Sequence, residues 1–139
     1  MRLHVDVLRR AALTALLLLG VLLPGSVLAQ VQAELVAAQR SVQPGQPLQL
    51  ALRMQHDPHW HSFWKNAGTG LPTRLMWELP PGWTAEAIQW PTPILVRDRE
   101  GSITGHGYEG LSYLPVRLIA PADLKPGSVV ELKAQARWL

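Results

Sequence analysis

Cysteine does not occur among the 139 residues. Its absence excludes disulfide stapling, thiolate metal ligation and thiol–disulfide exchange by the chain's own side chains, because each of these needs a sulfur that can ionise or pair. Phenylalanine occurs once, as Phe63, and tyrosine twice, as Tyr108 and Tyr113. There is no run of Lys or Arg and no basic stripe, so the footprint of a nucleic-acid partner is missing. There is also no nucleophile elbow and no ordered triad motif. The one long apolar run, "AALTALLLLGVLL" from Ala11 to Leu23, is 13 residues, short of the roughly 20 that span a bilayer.

That run has a different reading. Arg2, Arg9 and Arg10 precede it, Pro24 and Gly25 break it, and Val27 and Ala29 supply small residues at the −3 and −1 positions of a cleavage site. Residues 1–29 therefore read as a secretory signal peptide, and residues 30–139 as the exported domain, with no membrane span of its own. Three of the 13 Lys and Arg and one of the 10 Asp and Glu lie in the leader, leaving 10 against 9 and a net charge of +1. The remaining 110 residues suffice for one domain. An exported domain of this size often carries a disulfide, and this one has none.

Tryptophan supplies the apolar bulk. All six, Trp60, Trp64, Trp77, Trp83, Trp90 and Trp138, lie in the exported part, as do 11 of the 12 prolines. That proline density disfavours long helices. Pro44-Gly45, Pro81-Gly82 and Pro126-Gly127 are turn signals, since Pro presets φ and Gly accepts the positive φ that follows. Between and after them come β-rich runs. "PLQLALRM" places Leu48, Leu50, Leu52 and Met54 on one face, "RLMWEL" does so for Leu75, Trp77 and Leu79, and "LSYLPVRLIA" for Leu114, Val116 and Leu118. "WTAEAIQW" and the closing "VVELKAQARWL" are read as further strand-forming segments, and a first strand is expected near Val31 to Val36. Pro115 implies an edge strand or a bulge. Six or seven short strands at this spacing imply an all-β, antiparallel β-sandwich. Residues 56–73 and 91–110 read as two long loops on that frame, where function usually resides.

Three constellations could carry chemistry. His56, His59 and His61 form H-x-x-H-x-H beside Met54 and Asp57, a donor set that suits copper or zinc. Strand geometry puts Asp57, His59 and His61 on one face and His56 on the other. Trp60, Phe63 and Trp64 could form a stacking face for a sugar or a peptide, or fill the core. Ser62 beside His61, with Asp57 and Glu109 available, is the only hint of acid–base chemistry, and without a triad motif hydrogen-bonded loop residues account for it better. No motif calls for a cofactor.

The stretch "HWHSFWKNAGTGLPTRLMWELPPGW", with "IQWPTP" and "GHGYEGLSYLPV", resembles the N-terminal periplasmic domain of the thiol:disulfide interchange protein DsbD family, in its ScsB-like protein-disulfide reductase branch. Trp60, His61, Trp64, Asn66, Gly68, Gly70, Leu71, Pro72 and Thr73 match, with Phe63 in place of a Tyr and Ala67 in place of a Pro. The likeness covers nearly all of residues 31–139. It implies an immunoglobulin-like sandwich in the periplasm that takes electrons from a membrane-embedded donor domain and passes them to oxidised periplasmic proteins through a cysteine pair. In the ScsB-like branch that pair follows a strand ending in a Trp-Leu doublet, in a pattern like W-L-V-C-x-x-x-C. Here Trp138-Leu139 closes the sequence.

The expectation is therefore a domain truncated before its cysteine pair, redox-inactive as given, with no catalytic residue to carry over. Trp60, His61, Trp64, Asn66, Gly107, Tyr108, Glu109, Gly110 and Trp138 are expected to border the place of the cysteines. A last strand cut short would leave Trp138 poorly secured and the domain marginal. The alternative is a cysteine-less periplasmic module that binds metal or protein; a sugar-binding module is a third reading.

Overall fold

The computed structural model describes residues 30–139; the leader reading of residues 1–29 lies outside them. Nine strands run in chain order through the described residues: β1 (Val31–Ala37), β2 (Pro47–His56), β3 (His61–Phe63), β4 (Arg74–Glu78), β5 (Thr84–Ala85), β6 (Ile94–Arg97), β7 (Ile103–Glu109), β8 (Leu111–Ile119) and β9 (Lys133–Arg137). There is no helix among these residues. The strands form three sheets, ordered β1-β2-β8-β5, β3-β7-β6 and β4-β9, and every strand pairing within them is antiparallel. The chain is an all-β, immunoglobulin-like sandwich.

The centre is the pairing of β2 with β8. Both strands alternate apolar and polar residues, so each has one face to bury. Their register sets Leu48 against Leu118, Leu50 against Val116 and Leu52 against Leu114, and all six side chains are buried. Each such side chain contributes about 1.5–3 kcal/mol by leaving water. The β4-β9 pair covers this face from the other side with Leu75 and Trp77, which lie opposite Ala136 and Ala134. Trp83, Leu79, Val130 and Leu132 extend the packing at one end, and Trp64, Trp90 and Trp138 at the other. Five of the six tryptophans therefore pack on the core, and Trp60 stays exposed. Trp138, expected to be poorly secured, is packed against the cluster of Val31, Leu52, Met54, Tyr108 and Leu114.

Two chain segments pass from one sheet into another. β2 leads through the turn at residues 57–60 into β3, and β7 leads through Gly110 into β8. Because β2 pairs with β8 and β3 with β7, the two segments form one ribbon that changes sheets at a shared corner. The backbone breaks there in the left-handed region, at His59 (φ 71°) and Gly110 (φ 59°).

Several expectations are corrected. Residues 91–110 are mostly a β-hairpin and not a loop: β6 and β7 pair from Ile94 to Gly107, and Asp98 closes the tip by accepting the Ser102 amide at 2.8 Å. The glycines that suggested a loop serve close approach instead. A Cβ on Gly107 would collide with the Ser62 carbonyl, and one on Gly105 with the Ala67 carbonyl. "WTAEAIQW" forms only the two-residue strand Thr84–Ala85. Pro115 lies on an inner strand. Its ring nitrogen faces the side where β5 pairs only Leu118 and Ile119, and its carbonyl accepts the Gln89 amide at 2.8 Å, so the missing N–H costs no ladder bond.

Gly107→Ala is expected to destabilise by about 3 kcal/mol, the upper end of overpacking costs. Gly110→Ala, with open space around it but a left-handed φ, should lose only about 1–2 kcal/mol. Urea denaturation of both variants checks the order, and a reversed order would contradict the close approach at Gly107.

Candidate functional site

The segments that the resemblance singled out meet at one end of the sandwich. Strand β3 sets His61 opposite Glu109, Ser62 opposite Tyr108 and Phe63 opposite Gly107. Trp60 and His61 then line a cleft of about 280 Å³ with Gln30, Val31, Trp138 and Leu139. Trp60 and Leu139 are exposed there, while His61 and Trp138 are half-buried. The His61 ring stands edge-on to Phe63, with centroids 4.9 Å apart. The lining thus offers two indoles, an imidazole, the Gln30 amide and the aliphatic Val31 and Leu139. It holds no carboxylate, hydroxyl or thiol. Such a surface can receive an apolar or extended partner, with the His61 imidazole as its one titratable side chain.

The remaining predicted residues do not line this cleft. Tyr108 is buried and donates its hydroxyl to the Pro91 carbonyl at 2.8 Å. Burial pushes its pKa from 10.0 up to about 12, because the phenolate would have to exist away from water. Trp64 packs on the core beside Tyr108, with the Lys65 ammonium 4.9 Å above its ring and the His106 ring 6.1 Å away. Its indole nitrogen is buried without a protein partner. Asn66 and Glu109 are exposed, and Gly107 and Gly110 serve the backbone geometry of the corner.

The histidine cluster is dispersed. His56 ends the alternating face of β2 and points into the core, where it is 3% exposed. Its Nδ1 lies 2.8 Å from the Gly110 carbonyl, which can only accept, so Nδ1 carries the proton. Nε2 is then bare and accepts the Ser62 hydroxyl at 2.9 Å. Since Ser62 has one proton to give, its 3.9 Å approach to the Met54 sulfur is a packing contact. Both ring nitrogens of His56 are therefore engaged and neither is free for a metal. His59 is exposed in the turn, and its left-handed φ breaks the strand geometry that was to align it with His61. Among the described residues no three His, Cys, Asp or Glu side chains gather as a metal site.

Sequence reasoning paired Ser62 with His61, whereas the fold pairs it with His56. The signal was present in the period of two, because His56 follows Leu48, Leu50, Leu52 and Met54 on the inward face. The resulting Ser–His–carbonyl array looks like a nucleophile with its base. Ser62 is 0% exposed, however, and its orienting group is a backbone carbonyl. It is a structural knot at the corner: the Gly110 oxygen also takes the His56 backbone amide at 2.8 Å.

The family model described as "Thiol:disulfide interchange protein DsbD, N-terminal" matches residues 29–139. No curated protein and no solved structure matches the chain.

Two outcomes follow from the geometry. In a double-mutant cycle, Ser62→Ala and His56→Gln should couple by about 1–2 kcal/mol, within the range for residues sharing one network; additive losses would refute the shared bond. Tyr108 is an acid whose folded pKa is raised, so its contribution is fully present below about pH 10 and is lost as pH rises towards about 12. Chemical denaturation across that window should show the loss in the native chain and a smaller loss in Tyr108→Phe.

Proposed function

We propose that this chain, which belongs to the DsbD N-terminal family of thiol:disulfide interchange proteins, is the periplasmic scaffold at which electrons pass from a membrane-embedded donor domain to oxidised periplasmic proteins. Thiol–disulfide exchange requires a thiolate to attack a disulfide sulfur. None of these 139 residues is a cysteine, so the exchanging thiols belong to residues other than these. What this chain contributes is the surface beside which they react.

One observation carries the reading. Trp60, from the turn between β2 and β3, and His61, which opens β3, share a cleft with Trp138 and Leu139, which follow β9. Trp138 itself is anchored in the core. Residues appended to Leu139 would therefore start at this cleft, between an exposed indole and an imidazole. The aromatic walls shield a reacting sulfur from water, and a neighbouring imidazole favours the thiolate when it is protonated. Glu109, opposite His61 on β7, places a carboxylate at the rim, where a partner can meet it.

The test is to supply the missing chemistry. The chain is extended past Leu139 by Val-Cys-Gly-Ser-Gly-Cys, reduced, and mixed with a small aromatic disulfide. The extended protein is expected to exchange several-fold faster than the same hexapeptide free in solution, with Trp60→Ala and His61→Ala each removing part of the gain. A rate equal to that of the free peptide, indifferent to both substitutions, overturns the proposal.

A further inference from the structure

We propose a second binding site, for a single-chain anionic amphiphile, in a cavity at the opposite end of the sandwich from the Trp60 cleft. The strands establish that it is the opposite end. The first cleft lies at the start of β1 and past the ends of β2 and β9, whereas this cavity lies at Ala37 where β1 ends, at Leu48 where β2 begins, and at Leu132 just before β9. Its volume is about 520 Å³, within the roughly 300–1,000 Å³ typical of small-molecule sites.

Floor and rim differ in chemistry. The floor is Leu48, Leu50, Trp83 and Leu132, which belong to the core cluster or pack on it. A tail entering here meets the sandwich interior without breaking a hydrogen bond. At the rim stand Arg40 and Lys125, and no Asp or Glu lines the cavity. Both cations are exposed, and among the described residues neither makes an ion pair; the pairs formed are Glu34–Arg53, Glu86–Arg117 and Glu131–Lys133. The segment that closes the cavity also carries Val129, which is 100% exposed between the lining residues Ser128 and Val130. An apolar floor with a few fixed polar groups at the mouth is the usual build of a ligand site. Two unpaired cations with no carboxylate select the sign of the head group.

The site is separate from the cleft of the proposed function, and neither reading depends on the other. The experiment is calorimetric titration of the whole chain with decanoate and with decyl phosphate, each below its micelle concentration. Decanol and decyltrimethylammonium serve as neutral and cationic controls of the same tail, and acetate as a head without a tail. Saturable binding of the two anions is expected, weakening with added salt as exposed charge pairs do, with little or no binding of the controls. The double substitution Arg40→Gln with Lys125→Gln should weaken decanoate by about tenfold, the effect of two partly exposed ion pairs, with an unchanged circular dichroism spectrum. Leu50→Phe, which fills the floor, should displace the tail. Equal binding of the cationic analogue overturns the proposal, as does undiminished binding by the double variant or the absence of saturable binding by either anion.

Discussion

The fold turns on one backbone oxygen. The Gly110 carbonyl accepts the amide of His56 and the Nδ1–H of the same residue, each at 2.8 Å. By fixing the proton on Nδ1 it leaves Nε2 to hold the Ser62 hydroxyl. These three residues sit where the β2–β8 ladder hands over to the β3–β7 ladder. A ribbon that leaves one sheet for another exposes backbone and side-chain polar groups at the bend, and buried polar groups left unpaired are costly. Here the buried imidazole engages the Gly110 carbonyl and the Ser62 hydroxyl. The placement of His61 opposite Glu109, and with it the orientation of Trp60, follows from where this corner holds β3.

The corner also explains the sequence requirements around it. Gly107 stands opposite Phe63 and under the Ser62 carbonyl, and Gly105 under the Ala67 carbonyl, at distances that leave no room for a Cβ. "GHGYEG" is thus a strand that another backbone crosses closely, ended by the left-handed residue that lets the chain change sheets. A single glycine in a strand weakens it. Here the loss is offset by the tight packing of Phe63 and Val96, both buried beneath β7.

The inward faces of β2, β4 and β8 could be read directly from the period of two, because each strand buries one face only and a slip of one residue would expose it. The hairpin at residues 94–109 could not. Its edge strand exposes Ile94 and Leu95 while burying Val96, so the alternation is masked, and its partner is rich in glycine for reasons that only the crossing backbone reveals. Pro115 misled for a related reason, since what matters is which side the absent N–H faces, and that depends on how far β5 extends. At the site, the aromatic residues and their order were legible in the sequence. The His56–Ser62 bond was not, because a turn with a left-handed His59 lies between the two residues and no local rule fixes how it brings them together.

The chemistry of the two ends of the sandwich follows from how the chain spends its aromatic residues. Without cysteine, the domain secures its last strand by packing: Leu75 lies over Ala136, Trp77 over Ala134, and Trp138 is driven into the cluster of Met54 and Leu114. That packing holds Trp138 against the core while Leu139 stays exposed. It also keeps the cleft beside it apolar, with Trp60 the one indole left to face solvent. The other end carries no such plug. Trp83 closes the core there only as a floor, and Arg40 and Lys125 stand above it. The same packing therefore leaves an aromatic cleft at one end and a cavity lined by Arg40 and Lys125 at the other.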